Sequence, residues 1–426
     1  MRRVGSRRGP AVAGDAPMSA THLAGHHVAG RLDARVDLLE HWRPADGFLM
    51  ERDGGGLVAT GTAATAAVLP GPDHARRAAE AAAELLDDVR AGEDALAVAA
   101  LSFDGAIPAR VTVPSRSLLA RAGRPVRRVI IDAGRDEPAP SEPAATRPAA
   151  PAVRRSPQPS AADFAAAVAT AVARIRDGEL RKVVLARTLL IEGLGHVEPR
   201  SLIARLRARD PGCYTIAARG ARGRLLVGAT PELLLRRDGE VVTSMPLAGS
   251  ATRSADPAED RAAAAGLLSS IKERREHALV VEAVVDTLAA HCRELTVDRE
   301  PRLVSTATIW HLATEVHGLL HSDAPGALAL AAELHPTPAV CGTPRTAALR
   351  LIDELETEPR GLYAGMVGWV DGRGDGEWAV TLRCAVLGDG WARLYAGGGI
   401  VEGSDPRAEV AETEAKFRTL LDALRL

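Results

Sequence analysis

Two pairs of glutamates pose the first chemical question. Glu273 and Glu276 lie three apart in IKERREHALVVEAVV, and Glu409 and Glu412 lie three apart in DPRAEVAETEAKF. Residues i and i+3 share one face of a helix. Two such helices laid face to face bring four carboxylates together, and four carboxylates do not share a dry site uncompensated. A hard cation such as Mg²⁺ meets that need, held by carboxylates, water and an anionic substrate. The plain alternative is that these glutamates coat solvated helices. Glu276 argues against it, because it falls between Ile271 and Leu279, away from Arg274 and Arg275. A carboxylate on a core-facing stripe needs a partner.

Other residues point to anion binding and proton transfer. Gly397-Gly398-Gly399 follows the strand-like ARLYA, and glycines let backbone N–H groups approach an anion, or simply make a bulge. Arg383 reads as mid-strand in VTLRCAV. A buried arginine needs an anion, either a bound carboxylate or a structural partner. Lys182 opens the strand KVVLAR. Desolvation there makes a lysine a base, whereas an edge position leaves it solvated. Glu232 follows a proline at the start of ELLL, where a strand-end charge is the simplest reading. His311 and His317 are six apart, out of phase for a helical metal pair, which leaves a hydrogen bond at a site edge.

The elements that position these residues alternate between strands and helices. FLMERDGGGLVATGTA predicts a hairpin around Asp53 to Gly56. HARRAAEAAAELLDDVRAG predicts a helix between an Asp73 N-cap and a Gly92 stop. ALAVAALSF, ARVTVPS and VRRVIID predict strands, and so do CYTIAA, RLLVGA and LLLRRDGEVVTSM further on. Ser160 and Asp163 predict a helix start before FAAAVATAVARIRDG. One long helix is expected from about Ala258 to Cys292. Hairpins dominate over βαβ units, so the fold class is α+β with antiparallel sheets. The expected organisation is a disordered tail over 1–30, a first part of the fold over 31–136, a Pro/Ala-rich linker or loop over 137–160 with seven prolines, and a catalytic region over 161–426.

The totals exclude several classes. A chain of 426 residues with 46% hydrophobic and 3% aromatic content builds a large core from Leu, Val and Ala. A net charge of -2 argues against nucleic acid, whose recognition needs a basic excess. No apolar run reaches the roughly 18–20 residues of a membrane span. Cys213, Cys292, Cys341 and Cys384 show no CxxC spacing, as expected of a reduced cytoplasmic protein. The basic start MRRVGSRRGP lacks an apolar segment behind it and reads as a tail, or as sequence upstream of a true start at Met18.

Taken together, KVVLAR, TPELLL, PLAGSATR, KERREH, HLATEV, HPTPAVCGTPR, GLYAGMVGW, VTLRCA and GGGIVEGSDPRAEVAETEAK resemble the chorismate-utilising enzymes. These are the anthranilate, aminodeoxychorismate, salicylate and isochorismate synthases. The matching runs occur in family order from about Phe164 to Leu421. The resemblance implies an anthranilate-synthase-like fold, with two large antiparallel sheets packed together and helices outside. It implies that Glu273, Glu276, Glu409 and Glu412 form a Mg²⁺ shell around the ring carboxylate of chorismate. Tyr363, Arg383 and Gly399 would hold the enolpyruvyl carboxylate, with Gly398 beside them. Gly249 and Ser250 would also bind substrate, Lys416 would neutralise carboxylate, and His311 would line the ring. Lys182 would be the base that activates water and Glu232 the acid that protonates the departing 4-hydroxyl.

Two positions separate the branches of this family. The aminodeoxychorismate branch carries a nucleophilic lysine within a PIKGT-type motif, and here PLAGS places Ala248 there. Ammonia-using branches typically carry glutamine where this chain has Lys182. Water is therefore the expected nucleophile, and no glutaminase subunit is expected. HPTPAVCGTPR and GWVDGRGDGEWAVTLRCA look like isochorismate synthases, which serve menaquinone or siderophore biosynthesis and are usually monomeric. A salicylate synthase, or a non-catalytic chorismate-binding regulatory protein, are the alternatives.

Overall fold

The computed structural model describes residues 27–32, 36–89, 92–121, 123–131, 152–220 and 223–426. Most of the expected tail over 1–30 lies outside them. So does most of the segment 137–160.

Strand sequences that alternate in hydrophobicity bury both faces here. Leu49, Val58, Ala217 and Val227 point into one apolar cluster. Their neighbours Met50, Leu57, Ile216 and Leu226 point into another. Side chains on a strand alternate between faces, so one strand can serve two cores. Among the described residues the strands form three antiparallel sheets. The largest has twelve strands and runs from His27–Leu32 at one edge to Lys182–Glu192 and Gly342–Thr343 at the other. The second has nine and runs from Cys292–Val297 to Ala64–Val68. The larger core lies between these two sheets and takes Leu96, Leu235, Met366 and Trp378 from the second. The smaller core lies on the outer face of the twelve-stranded sheet, under helices Pro199–Arg209 and Pro406–Leu424. A third sheet of three strands, Leu247–Thr252, Arg302–Ser305 and Ile309–Ala313, stands beside them.

The part of the chain before residue 132 is not separate from the rest. Its strands form one end of each large sheet, for example Phe48–Arg52 against Tyr214–Arg219 and Leu96–Leu101 against Met366–Asp371. Within the expected linker, residues 154–158 are a strand paired with Lys182–Glu192.

Two local expectations change in the structure. The single helix from Ala258 to Cys292 is two helices, Pro257–Ser269 and Ile271–Ala289. Ser270 breaks it with an extended backbone (ψ 114°) and caps the second helix by accepting from the Glu273 N–H. Arg383 is not mid-strand but lies in the break between Gly376–Val380 and Cys384–Gly388, at a left-handed φ of 46°. Asp73 makes no side-chain cap bond to the helix His74–Asp88, which ends before Gly92, while two other boundaries follow the sequence signals. Ser160 caps the helix Ala161–Arg176, and the hairpin around Asp53 turns between Phe48–Arg52 and Gly55–Thr60.

Candidate active site

The two glutamate-bearing helices meet over the strand Trp391–Ile400. The buried stripe of Ile271–Ala289 is Glu276, His277, Val280, Val284 and Leu288. Ile271, expected on that stripe, is instead 70% exposed. Helix Pro406–Leu424 buries Glu409, Thr413, Lys416 and Leu420 at turn-by-turn spacing. An open cavity lies between the helices and the strand. Its wall contains Glu232, Gly249, Ser250, Glu273, Glu276, His311, Tyr363, Arg383, Gly399, Glu409, Glu412 and Lys416. Lys182 and Gly398 stand immediately behind that wall. The Lys182 ammonium is fully buried and lies 2.8 Å from Glu276 Oε1, an ion pair rather than a well-directed hydrogen bond.

Three lysines stand against the four carboxylates. Lys182 faces Glu276, and Lys416 bonds Glu412 and the Gly397 carbonyl (2.7 Å). Lys272 lies 3.3 Å from Glu273 and 3.9 Å from Glu409, one glutamate on each helix. Ser250 donates its hydroxyl to Glu412 (2.7 Å) and its N–H to Glu273 (3.3 Å). The balance is incomplete. Burial, and then the neighbouring Glu412, push the Glu409 carboxyl up to about 7, and Glu409 Oε2 is buried without a hydrogen-bond partner. Burial and Glu276 also raise Glu273. Burial opposes charge on Glu412 too, but Lys416 outweighs it and holds that carboxyl below its usual range.

An all-oxygen donor set with an orphaned buried oxygen fits a hard divalent cation. Among the described residues no three His, Cys, Asp or Glu side chains already stand in metal-ligating geometry. The lysines engage one oxygen, Oε1, of each of these carboxylates and leave Glu409 Oε2 free of them.

The triple glycine has a reason that spacing alone does not reveal. A Cβ at Gly398 would lie 2.6 Å from Glu409 Oε2, and one at Gly399 would lie 2.2 Å from Glu276 Oε1. A side chain at either position would have to push the carboxylate aside, so glycine here leaves the carboxylates where they stand. Gly249 also faces Glu273, but at 3.2 Å, and its φ of +77° is the stronger reason for glycine there.

The other wall carries the candidate substrate clamp and acid. Arg383 donates from Nη2 to His311 Nε2 (2.9 Å), so that nitrogen is an acceptor and the imidazole is neutral. Burial, and then Arg383 and Lys416, hold the His311 pKa well below the ordinary range. A left-handed arginine is uncommon, and such backbone outliers cluster at sites that hold ligands. Tyr363 stacks on Tyr395 with ring centroids 5.3 Å apart. Glu232 is 2% exposed, and burial pushes its carboxyl up to about 8, against the pull of Lys182 and Arg383.

His317 lies outside the cavity and hydrogen-bonds Thr243. Gly397, the first of the expected glycine run, lines the cavity too, and so do Lys272 and Val340, which the sequence did not single out. Lys272 did carry a signal, because a lysine in the first turn of a helix opposes the helix dipole and needs a local reason.

Comparison with known proteins gives the class. The family model described as "Chorismate binding enzyme" matches residues 123–425. The chain belongs to this family of chorismate-binding enzymes. Among its relatives, isochorismate synthase DhbC of Bacillus subtilis is 47% identical over 274 residues, 63% of this chain and 69% of that protein. The putative isochorismate synthase MenF of Mycobacterium tuberculosis is 43% identical over 362 residues, 82% of this chain and 90% of that protein. A crystal structure of a putative 2,3-dihydroxybenzoate-specific isochorismate synthase, DhbC from Bacillus anthracis, superposes with a TM-score of 0.79 at 36% identity. It covers 91% of this chain and 99% of that one.

Proposed function

We infer that this protein is an isochorismate synthase, an isomerase that converts chorismate to isochorismate for menaquinone or siderophore biosynthesis. The observation that carries the reading is a fully buried lysine and a carboxyl that keeps its proton near neutral pH, placed around one carboxylate-rich cavity. Chorismate has two carboxylates. In this reading Arg383, Tyr363 and the Gly399 amide bind the enolpyruvyl carboxylate, with Gly398 beside them. Gly249, Ser250, His311 and Lys416 shape the rest of the substrate site. Glu273, Glu276, Glu409 and Glu412 would hold Mg²⁺, which supplies positive charge to the ring carboxylate.

Water is a poor nucleophile and hydroxide a poor leaving group, so the reaction needs a base and an acid. In its neutral amine form, Lys182 takes a proton from water as its oxygen bonds to C2. The ring double bonds shift, the C4–O bond breaks, and Glu232 gives its proton to the departing hydroxyl. One water enters and one leaves. Ala248 offers no nucleophile of its own, and Lys182 serves water rather than ammonia, so no glutaminase partner is required.

Incubation with chorismate and Mg²⁺ followed by chromatography tests the assignment. Isochorismate without pyruvate is expected. Salicylate with pyruvate would replace the assignment with a salicylate synthase, and binding without turnover would replace it with a regulatory module. Chelation is expected to abolish turnover and Mg²⁺ to restore it. Turnover that persists in chelator would sink the cation's role. Arg383→Lys is expected to raise KM for chorismate about 10- to 100-fold, the worth of a lost charged hydrogen bond. Lysine cannot reproduce a planar two-pronged donor. An unchanged KM would remove Arg383 from the clamp.

A further inference from the structure

The twelve-stranded sheet has an unpaired stretch directly beneath the cavity. Strand Lys182–Glu192 pairs along one edge with Trp391–Ile400, register Val184 to Gly399 and Ala186 to Gly397. On its other edge Gly342–Thr343 covers Lys182 and Val183, and Arg154–Gln158 covers Thr188 to Glu192. Between them the described strands leave residues 184–187 without a ladder partner on that edge, apart from one backbone bond from the Val184 N–H to the Cys341 carbonyl (2.8 Å). The neighbours on the intact edge are three glycines, which have no side chains to lock the register.

Side chains take the place of the missing strand. Arg360 Nη2 donates to the Val184 carbonyl (2.7 Å), and the Ala186 N–H donates to Glu356 Oε1 (2.8 Å). Glu356 and Arg360 form a buried ion pair one helical turn apart in spacing, with side chains 7% and 2% exposed. Arg360 Nη1 also donates to the Val340 carbonyl (2.6 Å), and its carbonyl accepts the Tyr363 N–H (3.0 Å). Its guanidinium lies 4.2 Å from the ring centroid of Phe103. A buried ion pair is worth keeping only when its remaining donors and acceptors are also satisfied, and here each extra bond goes to backbone of the cavity's floor or wall. Val184, Val340 and Tyr363 all line the cavity.

We propose that Glu356 and Arg360 act as a side-chain splice for the strand Lys182–Glu192 and are positioning residues for catalysis. They hold Lys182, the glycine strand and Tyr363 in mutual register without touching substrate. This rests on the reading of Lys182 and the glycine strand as parts of an isochorismate synthase site. Displacement of reacting groups by about 1 Å costs on the order of 100-fold in rate.

Three variants, each assayed well below its own melting temperature, test the splice. Glu356→Ala is expected to lower kcat about 100-fold while KM for chorismate stays within a few-fold. Glu356→Gln, which keeps an oxygen for the Ala186 N–H, is expected to recover most of that loss. Arg360→Lys, which cannot reach three acceptors at once, is expected to behave like Glu356→Ala and provides the result if the alanine variant fails to fold. Amide exchange at Ala186 is expected to accelerate in Glu356→Ala but not in Glu356→Gln. Wild-type kcat in a folded Glu356→Ala or Arg360→Lys, or loss in the glutamine variant equal to that in the alanine variant, would overturn the proposal. Exchange at Ala186 is read without substrate. Failure of wild type to turn over chorismate would therefore reject the functional reading alone, and unaltered exchange would reject the splice alone.

Discussion

Lys182→Ala is expected to abolish isochorismate formation while chorismate still binds. Loss of a general base costs about 100- to 10,000-fold in kcat. The side chain is fully buried, so the change also leaves the Glu276 carboxylate without its 2.8 Å partner. Breaking a buried ion pair from one side costs about 3–5 kcal/mol, so a lower melting temperature should accompany the lost activity. Lys182→Arg separates the two effects. Arginine keeps the positive charge opposite Glu276 but does not give up its proton, so this variant should regain charge balance and remain inactive. Single-turnover kinetics, calorimetric binding of chorismate and thermal melting of both variants make the check. Undiminished turnover in either would remove Lys182 from the role of base.

Glu232→Gln is expected to be nearly as damaging to kcat and to have the opposite effect on stability. The amide cannot donate the proton that releases the 4-hydroxyl, so a loss of about 100- to 10,000-fold is expected. In the folded protein burial pushes the Glu232 carboxyl from its ordinary value near 4.5 up to about 8. Between those values the folded chain holds a proton that the unfolded chain has released. Stability rises with pH only where the unfolded state binds more protons, so this group makes stability fall as pH rises from about 4.5 to 8. Glu232→Gln has no such term. Its melting temperature relative to wild type should therefore climb between pH 5 and pH 8, a case of an active-site residue retained at a cost in stability. With Glu232 as the proposed acid, the same titration is expected to set the alkaline limb of the reaction, with turnover falling as pH passes about 8. A flat melting difference across that range, or a variant with wild-type kcat, would refute the assignment of Glu232 as the acid.

Much of the site was legible before the fold was known. The pairs Glu273/Glu276 and Glu409/Glu412 are local, and helical spacing places each pair on one face whatever surrounds it. Lys182 could be seen to open a strand, but spacing could not say whether that strand was solvated. It is buried in the sheet, between Trp391–Ile400 and Gly342–Thr343, and that makes its ammonium inaccessible. Sequence signals suggested one helix from Ala258 to Cys292 because good helix formers stand on both sides of Ser269-Ser270. Ser270 competes for the Glu273 N–H and ends it. Arg383 read as a strand residue because its neighbours are apolar, and its left-handed backbone is imposed by the turn between two strands. Lys272 was overlooked because its partner Glu409 is 137 residues away.

By itself the sequence determined the chemistry available: four carboxylates on two helix faces, a strand lysine, a glutamate behind a proline, and alanine at 248. These follow from residue type and short spacing, which helix and strand periodicity translate directly into shared faces. Only the tertiary structure decided which charges meet and in what state. It pairs Lys182 with Glu276, holds the proton on Glu232, leaves Glu409 Oε2 without a partner, and shows that the glycines at 398 and 399 make room for carboxylates. Burial and contact between distant segments set those properties, because the cost of a charge depends on what surrounds it in space and not on its neighbours along the chain.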